Sequence, residues 1–259
     1  MNVPSLILAF TAILGLCVGS FLNVVIARLP AGRSIAYPGS ACPHCGKPIA
    51  WYDNLPVLSY ALLRGRCRYC RDPISWRYPG VEVACGILFA LAYHRFEVGL
   101  GLASALVLVA GLLAITAIDL DHQIIPDVLS VPGIALGLLF SVAPGGIGWA
   151  DSLLGVLVGG GLFVVIIVAS TLVIGQAGMG VGDVKLGAML GAFLGWKLAL
   201  LSILLSMLLG GPLAGTLLAT GRKGRKDPIP FGPFLAVGGL ISLFWGDAVL
   251  AWYFKQFLD

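Results

Sequence analysis

Apolar residues run along this chain in long blocks, with polar residues gathered into short links between them. Blocks near 4–27, 79–96, 99–118, 128–145, 153–174, 184–197, 198–220 and 230–254 are mostly apolar, with Gly, Pro and Ser among them and few charged residues. A helix needs about 20 such residues to cross a bilayer. A spanning backbone must also satisfy its own hydrogen bonds, which a helix does. The pattern therefore predicts an all-α polytopic membrane protein of about eight transmembrane helices. The sixth block is short and glycine-rich, so seven or eight is the predicted range. Gly155-x-x-x-Gly159 has the spacing of a close helix–helix contact.

One long stretch, 28–78, breaks the pattern and divides the chain into three: an N-terminal anchor (1–27), a polar insert (28–78) and a membrane body (79–259). The insert repeats itself. Cys42-Pro-His-Cys45-Gly-Lys-Pro48-Ile49-Ala50-Trp51 returns 25 residues later as Cys67-Arg-Tyr-Cys70-Arg-Asp-Pro73-Ile74-Ser75-Trp76. Two C-x-x-C pairs at this separation suit one tetrahedral zinc ion held by four thiolates. With no open position such a site is structural, and metal binding would supply folding energy to an insert with little core of its own. Disulfides or unpaired structural thiols are the competing reading, disfavoured on a cytoplasmic face. His44 reads as a solvent-facing neighbour, and Cys17 and Cys85 as small packed side chains.

Composition sharpens the class. Apolar residues make up 59% and charged residues 11%, whereas ordinary soluble domains are about a quarter charged. The start, Met1-Asn2-Val3-Pro4-Ser5, has no basic segment, and Arg28 follows the first block. This predicts a retained, N-out anchor. With eight spans, thirteen of the 16 basic residues fall on one side: eight in 28–78, Lys185, and the cluster Arg222, Lys223, Arg225 and Lys226. Only Arg95, Lys197 and Lys255 lie opposite. By the positive-inside rule that side is cytoplasmic. The net charge of +4 then reports topology and contact with anionic lipid, with no nucleic-acid partner.

There are only 12 acidic residues, and those near the ends of membrane spans are functional suspects. Asp119 is the deepest of three acids in Ala117-Ile-Asp119-Leu-Asp121-His122-Gln-Ile-Ile-Pro126-Asp127. Asp127 beside Pro126 reads as an ordinary helix start, Asp121 points away from Asp119, and His122 is one turn beyond it. Asp183 ends Gly178-Met-Gly180-Val-Gly182-Asp183. Those glycines bare one backbone edge, to which an extended peptide could add; an interhelical turn with glycine caps is the plainer alternative. No strand precedes them, so a nucleotide-binding loop is excluded. Two carboxylates sharing a low-dielectric site divide into an acid and a base. No Ser/His/Asp or Cys/His set competes with them, and there is no H-E-x-x-H motif. A proton-coupled transporter using the paired aspartates, or a non-catalytic assembly scaffold, are the alternatives from other classes.

Several ordered motifs resemble the bacterial type IV prepilin peptidase/N-methyltransferases, membrane aspartic proteases of the GxGD class. They are Gly19-Ser-Phe-Leu-Asn-Val-Val-Ile26 with Arg28-Leu-Pro30, the paired cysteine knuckles, Trp51-Tyr-Asp-Asn-Leu-Pro56, Arg77-Tyr-Pro-Gly-Val-Glu82, Ile118-Asp119…Ile125-Pro126-Asp127 and Gly180-x-Gly182-Asp183-Val-Lys185. The resemblance covers nearly the whole chain. It implies catalytic Asp119 and Asp183, an inner-membrane location, and cleavage of a basic prepilin or pseudopilin leader after glycine at the cytoplasmic face. It further implies methylation of the new N-terminus from S-adenosylmethionine. Gly180, Gly182, Lys185 and Glu82 are the candidate substrate-binding residues, Glu82 for the amine or the sulfonium, and Asn23 is a further candidate. Related sequences often carry an acid just before Gly-Met-Gly, where this chain has Gln176-Ala177.

Overall fold

A computed structural model describes residues 3–175, 179–220 and 230–257. Among the described residues the regular secondary structure is helical, apart from two isolated β-bridges in the turn-rich insert: α1 (Val3–Arg28), a 3-10 turn at Trp51–Asp53, the short α2 (Leu58–Leu62), α3 (Arg77–Phe96), α4 (Leu100–His122), α5 (Asp127–Ser141), α6 (Trp149–Ile174), α7 (Val181–Ala219) and α8 (Gly232–Phe257). The Arg222–Lys226 cluster and Gln176, Ala177 and Gly178 lie outside the described residues.

Five of these helices are long and apolar enough to cross a membrane: α1, α4, α6, α7 and α8. The expected count of eight is not reached, for identifiable reasons. Helix α3 carries Arg77, Glu82, His94 and Arg95 in 20 residues, and α5 has only 15. The sixth and seventh predicted spans form one element, α7, broken at Gly195, whose φ of 77° and ψ of 170° are not helical. Glycine tolerates that conformation. The break leaves a carbonyl to be satisfied nearby, and the buried Ser152 hydroxyl donates to Ala192 O at 2.7 Å.

The chain forms two compact units, Met1–Val98 and Gly99–Asp259. The division falls after α3 and not at 78/79, because α3 packs along α1 and both belong to the first unit. In the second unit α6, α7 and α8 pack in sequence, with α4 and α5 against them. Its core is Leu108, Leu112, Ile115, Phe163, Leu186, Leu190 and Leu235, each fully buried. Gly155 and Gly159 have the predicted role. A Cβ on either would lie 2.2 Å from the carbonyl oxygen of Gly191 or Gly187 on α7. Backbone meets backbone there, and only glycine permits it.

In the first unit the two knuckles are structural copies. Cys42 N–H donates to Lys47 O and Gly46 N–H to Cys42 O; 25 residues on, Cys67 N–H donates to Asp72 O and Arg71 N–H to Cys67 O. Both turns pass through the left-handed region, at Gly46 (φ 69°) and Arg71 (φ 61°). Cys85 is buried as expected, whereas Cys17 is exposed on α1. Arg28 ends α1, where a cation favours the helix dipole, and its guanidinium donates to Ser34 O and Gly39 O.

Candidate active site

The second unit brings four helix ends together. Asp119 lies in the last turn of α4, which stops where Gln123 adopts a left-handed conformation (φ 56°) and donates to Asp119 O. Asp127 opens α5, Asp183 lies in the first turn of α7, and Gly232 opens α8. Three of these ends are helix N-termini, whose free N–H groups and dipoles attract carboxylates.

Both predicted aspartates are buried, Asp119 to 5% exposure and Asp183 to 8%. Each accepts one backbone N–H. The Asp119 Oδ2 atom accepts from Gly232 N at 2.9 Å, closing the start of a helix 113 residues away. The Asp183 Oδ2 atom reaches back to Gly180 N at 3.1 Å. Gly180 precedes the first residue of α7, so this is the return half of a capping box, with Asp183 at the third helical position. The carboxylates lie near enough for the charge of Asp119 to act on Asp183.

Two contacts hold the α4–α5 link against the start of α7. A Cβ on Gly182 would fall 2.9 Å from Cβ of Ile125, so the bare face of Gly182 is filled within the fold. Gly180, by contrast, is exposed, and a Cβ there would touch nothing nearer than 3.6 Å. Lys185 Nζ pairs with Asp127 Oδ1 at 2.5 Å, giving Asp127 a partner beyond its helix dipole. Pro126 is the N-cap of α5 and not its first residue. His122 is exposed and makes no hydrogen bond to Asp119. Gly232 is the site residue that the sequence reading missed; the only signal was Gly232-Pro233 opening the last apolar block.

In the first unit the predicted cysteines converge. The Sγ atoms of Cys42, Cys45, Cys67 and Cys70 lie within 4.8 Å of one another, and Cys42 and Cys70 are 3.8 Å apart. A tetrahedral zinc with about 2.3 Å bonds to sulfur requires a sulfur–sulfur spacing of about 3.8 Å, so the donor set fits such a metal. A disulfide needs about 2 Å, and all six cysteines are free. The N–H groups of Cys70 and Tyr69 lower the Cys67 thiol to about 6. Cys70 also receives an N–H, from Asp72, yet burial and the neighbouring thiols push it up to about 12. Four thiolates this close call for a cation among them. His44 Nε2 bridges to Asp72 Oδ2 at 2.6 Å, and Lys47 stands over the Tyr69 ring at 4.7 Å, so both tie one knuckle to the other. Asn23 Nδ2 donates to Tyr78 O at 3.0 Å, joining α1 to α3. Glu82, 8% exposed, accepts from Val57 N at 2.8 Å.

Comparison with known proteins matches two family descriptions in order: a Bacterial Peptidase A24 N-terminal domain over residues 13–96, and a Type IV leader peptidase family over residues 106–215. A prepilin leader peptidase/N-methyltransferase of Aeromonas hydrophila is 38% identical over 99% of this chain and 97% of its own length. One from Stutzerimonas stutzeri is 39% identical over 94% and 92%. One from Myxococcus xanthus is 47% identical over 70% of this chain and 54% of its own. No solved structure matches. Similarity of this degree along both chains, with both family descriptions met in sequence order, means that the chain belongs to the type IV leader peptidase family.

Proposed function

We propose that this protein is a prepilin leader peptidase that also methylates the N-terminus it releases. The observation that carries the reading is the pair of buried carboxylates, Asp119 and Asp183, set by backbone N–H groups at one end of a helix bundle. A transporter would place such acids at midplane on broken helices. Here they stand at helix ends, where a peptide can enter from water.

In the proposed reaction one carboxylate takes a proton from water, and the resulting hydroxide oxygen attacks the scissile carbonyl carbon. The other, protonated, donates its proton to the carbonyl oxygen. The tetrahedral species then collapses, and the leaving amine takes up a proton as the peptide bond breaks. Gly180 offers an open backbone to the extended substrate. The Lys185–Asp127 pair fixes the start of α7 against that of α5, which keeps the two acids in register. The substrate is the basic leader of a prepilin or pseudopilin, cut after glycine at the cytoplasmic face of the inner membrane, where the basic insert also meets anionic lipid. Zinc is the metal of the four-cysteine site. It would be held by Cys42, Cys45, Cys67 and Cys70, and its chemistry there is structural.

The test is mass spectrometry of a prepilin incubated with purified protein and S-adenosylmethionine, beside Asp119→Asn and Asp183→Asn. The expected result is leader loss and an added methyl group with wild type, and no cleavage by either variant. Cleavage surviving both substitutions would remove the aspartates from the reaction.

A further inference from the structure

The first unit contains a cavity of about 470 Å3, within the range of small-molecule sites, about 300–1,000 Å3. Ser20 and Asn23 of α1, Val57 and Tyr60 of the insert, and Tyr78 and Glu82 of α3 are among its lining residues. Nothing in the peptidase reaction uses it.

Glu82 is the informative member. It is more than nine-tenths buried and bonds only neutral donors, the Val57 N–H and the Ser20 hydroxyl. It has no ion pair with any described residue. A buried carboxylate without a cation is costly unless something supplies one. The donor on Val57 is also unusual. Val57 has φ 59° and ψ −45°, an outlier for a β-branched residue. Strain of this kind is kept where it positions a functional group, and here it turns an N–H onto a carboxylate at the cavity wall.

We infer that this cavity is the methyl-transfer site, taking the sulfonium donor and the α-amino group of the cleaved chain, with Glu82 as the proton acceptor. The inference rests on the proposed function, because methyl transfer must bring two cationic groups, the sulfonium and the α-ammonium, into contact at one site. An α-ammonium has a pKa of about 7.7–8.0, so most of it is protonated at neutral pH and cannot attack. Glu82 binds the ammonium and takes one proton. The freed lone pair attacks the methyl carbon, the carbon–sulfur bond breaks with its electron pair passing to sulfur, and nitrogen ends as a methylammonium. The donor leaves as a neutral thioether, and Glu82 returns its proton to water. The tyrosine rings provide flat surfaces for the donor's purine.

The experiment compares wild type with Glu82→Gln and with Val24→Trp, which fills the cavity from α1. Leader cleavage and N-methylation are read separately by mass spectrometry. Ultraviolet cross-linking of labelled S-adenosylmethionine, mapped by peptide, reports binding without turnover. Glu82→Gln should cleave within about twofold of wild type and methylate at least about 100-fold more slowly, the scale of one general base. Val24→Trp should lose both methylation and the cross-link, and wild-type label should map within residues 1–98. Methylation by Glu82→Gln at the wild-type rate, or label on residues 99–259, overturns the inference. If Glu82→Gln loses cleavage too, the label position and Val24→Trp decide it. If wild type cleaves no prepilin, it is the proposed function that fails.

Discussion

Replacing Gly232 with Ala adds one methyl group directly against the carboxylate of Asp119, one of the two acids proposed to carry out cleavage. The new Cβ would lie 2.7 Å from Oδ2 of Asp119 and 3.1 Å from its Cγ, where ordinary contact begins at 3.4 Å. The carboxylate must retreat by about 0.7 Å, weakening the 2.9 Å bond it accepts from Gly232 N. A hydrogen bond to a charged group contributes about 1.5–3 kcal/mol, which corresponds to a rate factor of about 10- to 150-fold. Misplacing a reacting group by about 1 Å has a comparable effect. The expected result is a 10- to 150-fold fall in kcat/KM for prepilin cleavage, measured by timed mass spectrometry of the released leader. Most of the loss should be in kcat, because Gly232 is remote in role from Gly180, the proposed docking point of the substrate backbone. Methylation of an already cleaved pilin should stay near the wild-type rate. Cleavage by the variant within twofold of wild type would refute the idea that the start of α8 positions Asp119.

Three further outcomes follow from the same geometry. Stripping metal with a strong chelator should abolish protease resistance in residues 40–76 while the helices of the second unit keep their hydrogen-exchange protection; metal analysis before stripping should give one zinc per chain. Replacing Gly191 with Ala would set a Cβ 1.9 Å from the Gly155 carbonyl oxygen, forcing α6 and α7 apart at a cost of about 1–3 kcal/mol, visible as a lowered Tm in detergent. The Arg68 guanidinium, 2.5 and 2.6 Å from the Asp53 carboxylate, holds that carboxyl below the usual range. A depressed carboxylate stabilises the folded state above its unfolded pKa of about 3.9, and the contribution fades as pH falls through the folded value. The Tm difference between wild type and Asp53→Asn should therefore be present at pH 7 and shrink on acidification below about pH 4.

The features legible in the sequence are those carried by local pattern. Helix ends fell near the edges of the apolar blocks because hydropathy and Gly/Pro punctuation both act over a few residues. The knuckle repeat announced its own geometry, down to matching hydrogen bonds, since each copy is a short closed turn. The motif around Asp183 could be located but its glycines could not be interpreted. Gly182 is required by Ile125, 57 positions earlier, and only folding brings the two together. Separation in sequence likewise hid the Lys185–Asp127 pair, 58 positions apart, the grip of Gly232 on Asp119 across 113 positions, and the tie from Val57 to Glu82 across 25. The compact units divide at 98/99 and not at the polarity change at 78/79, because polarity marks where a chain leaves the bilayer, whereas compactness follows the packing of α3 on α1.

Catalytic groups are commonly a burden on the fold that holds them, so that replacing them gains stability at the expense of activity. For the proposed catalytic pair, the two helix-closing bonds reverse that relation. Asp119 and Asp183 each satisfy an N–H that would otherwise lack a partner, and removing such a cap costs about 1 kcal/mol. Replacing either acid should therefore lower stability together with cleavage. An inactive homologue that had lost either acid would need a replacement acceptor at the same helix start, and finding one there would mark a retired enzyme.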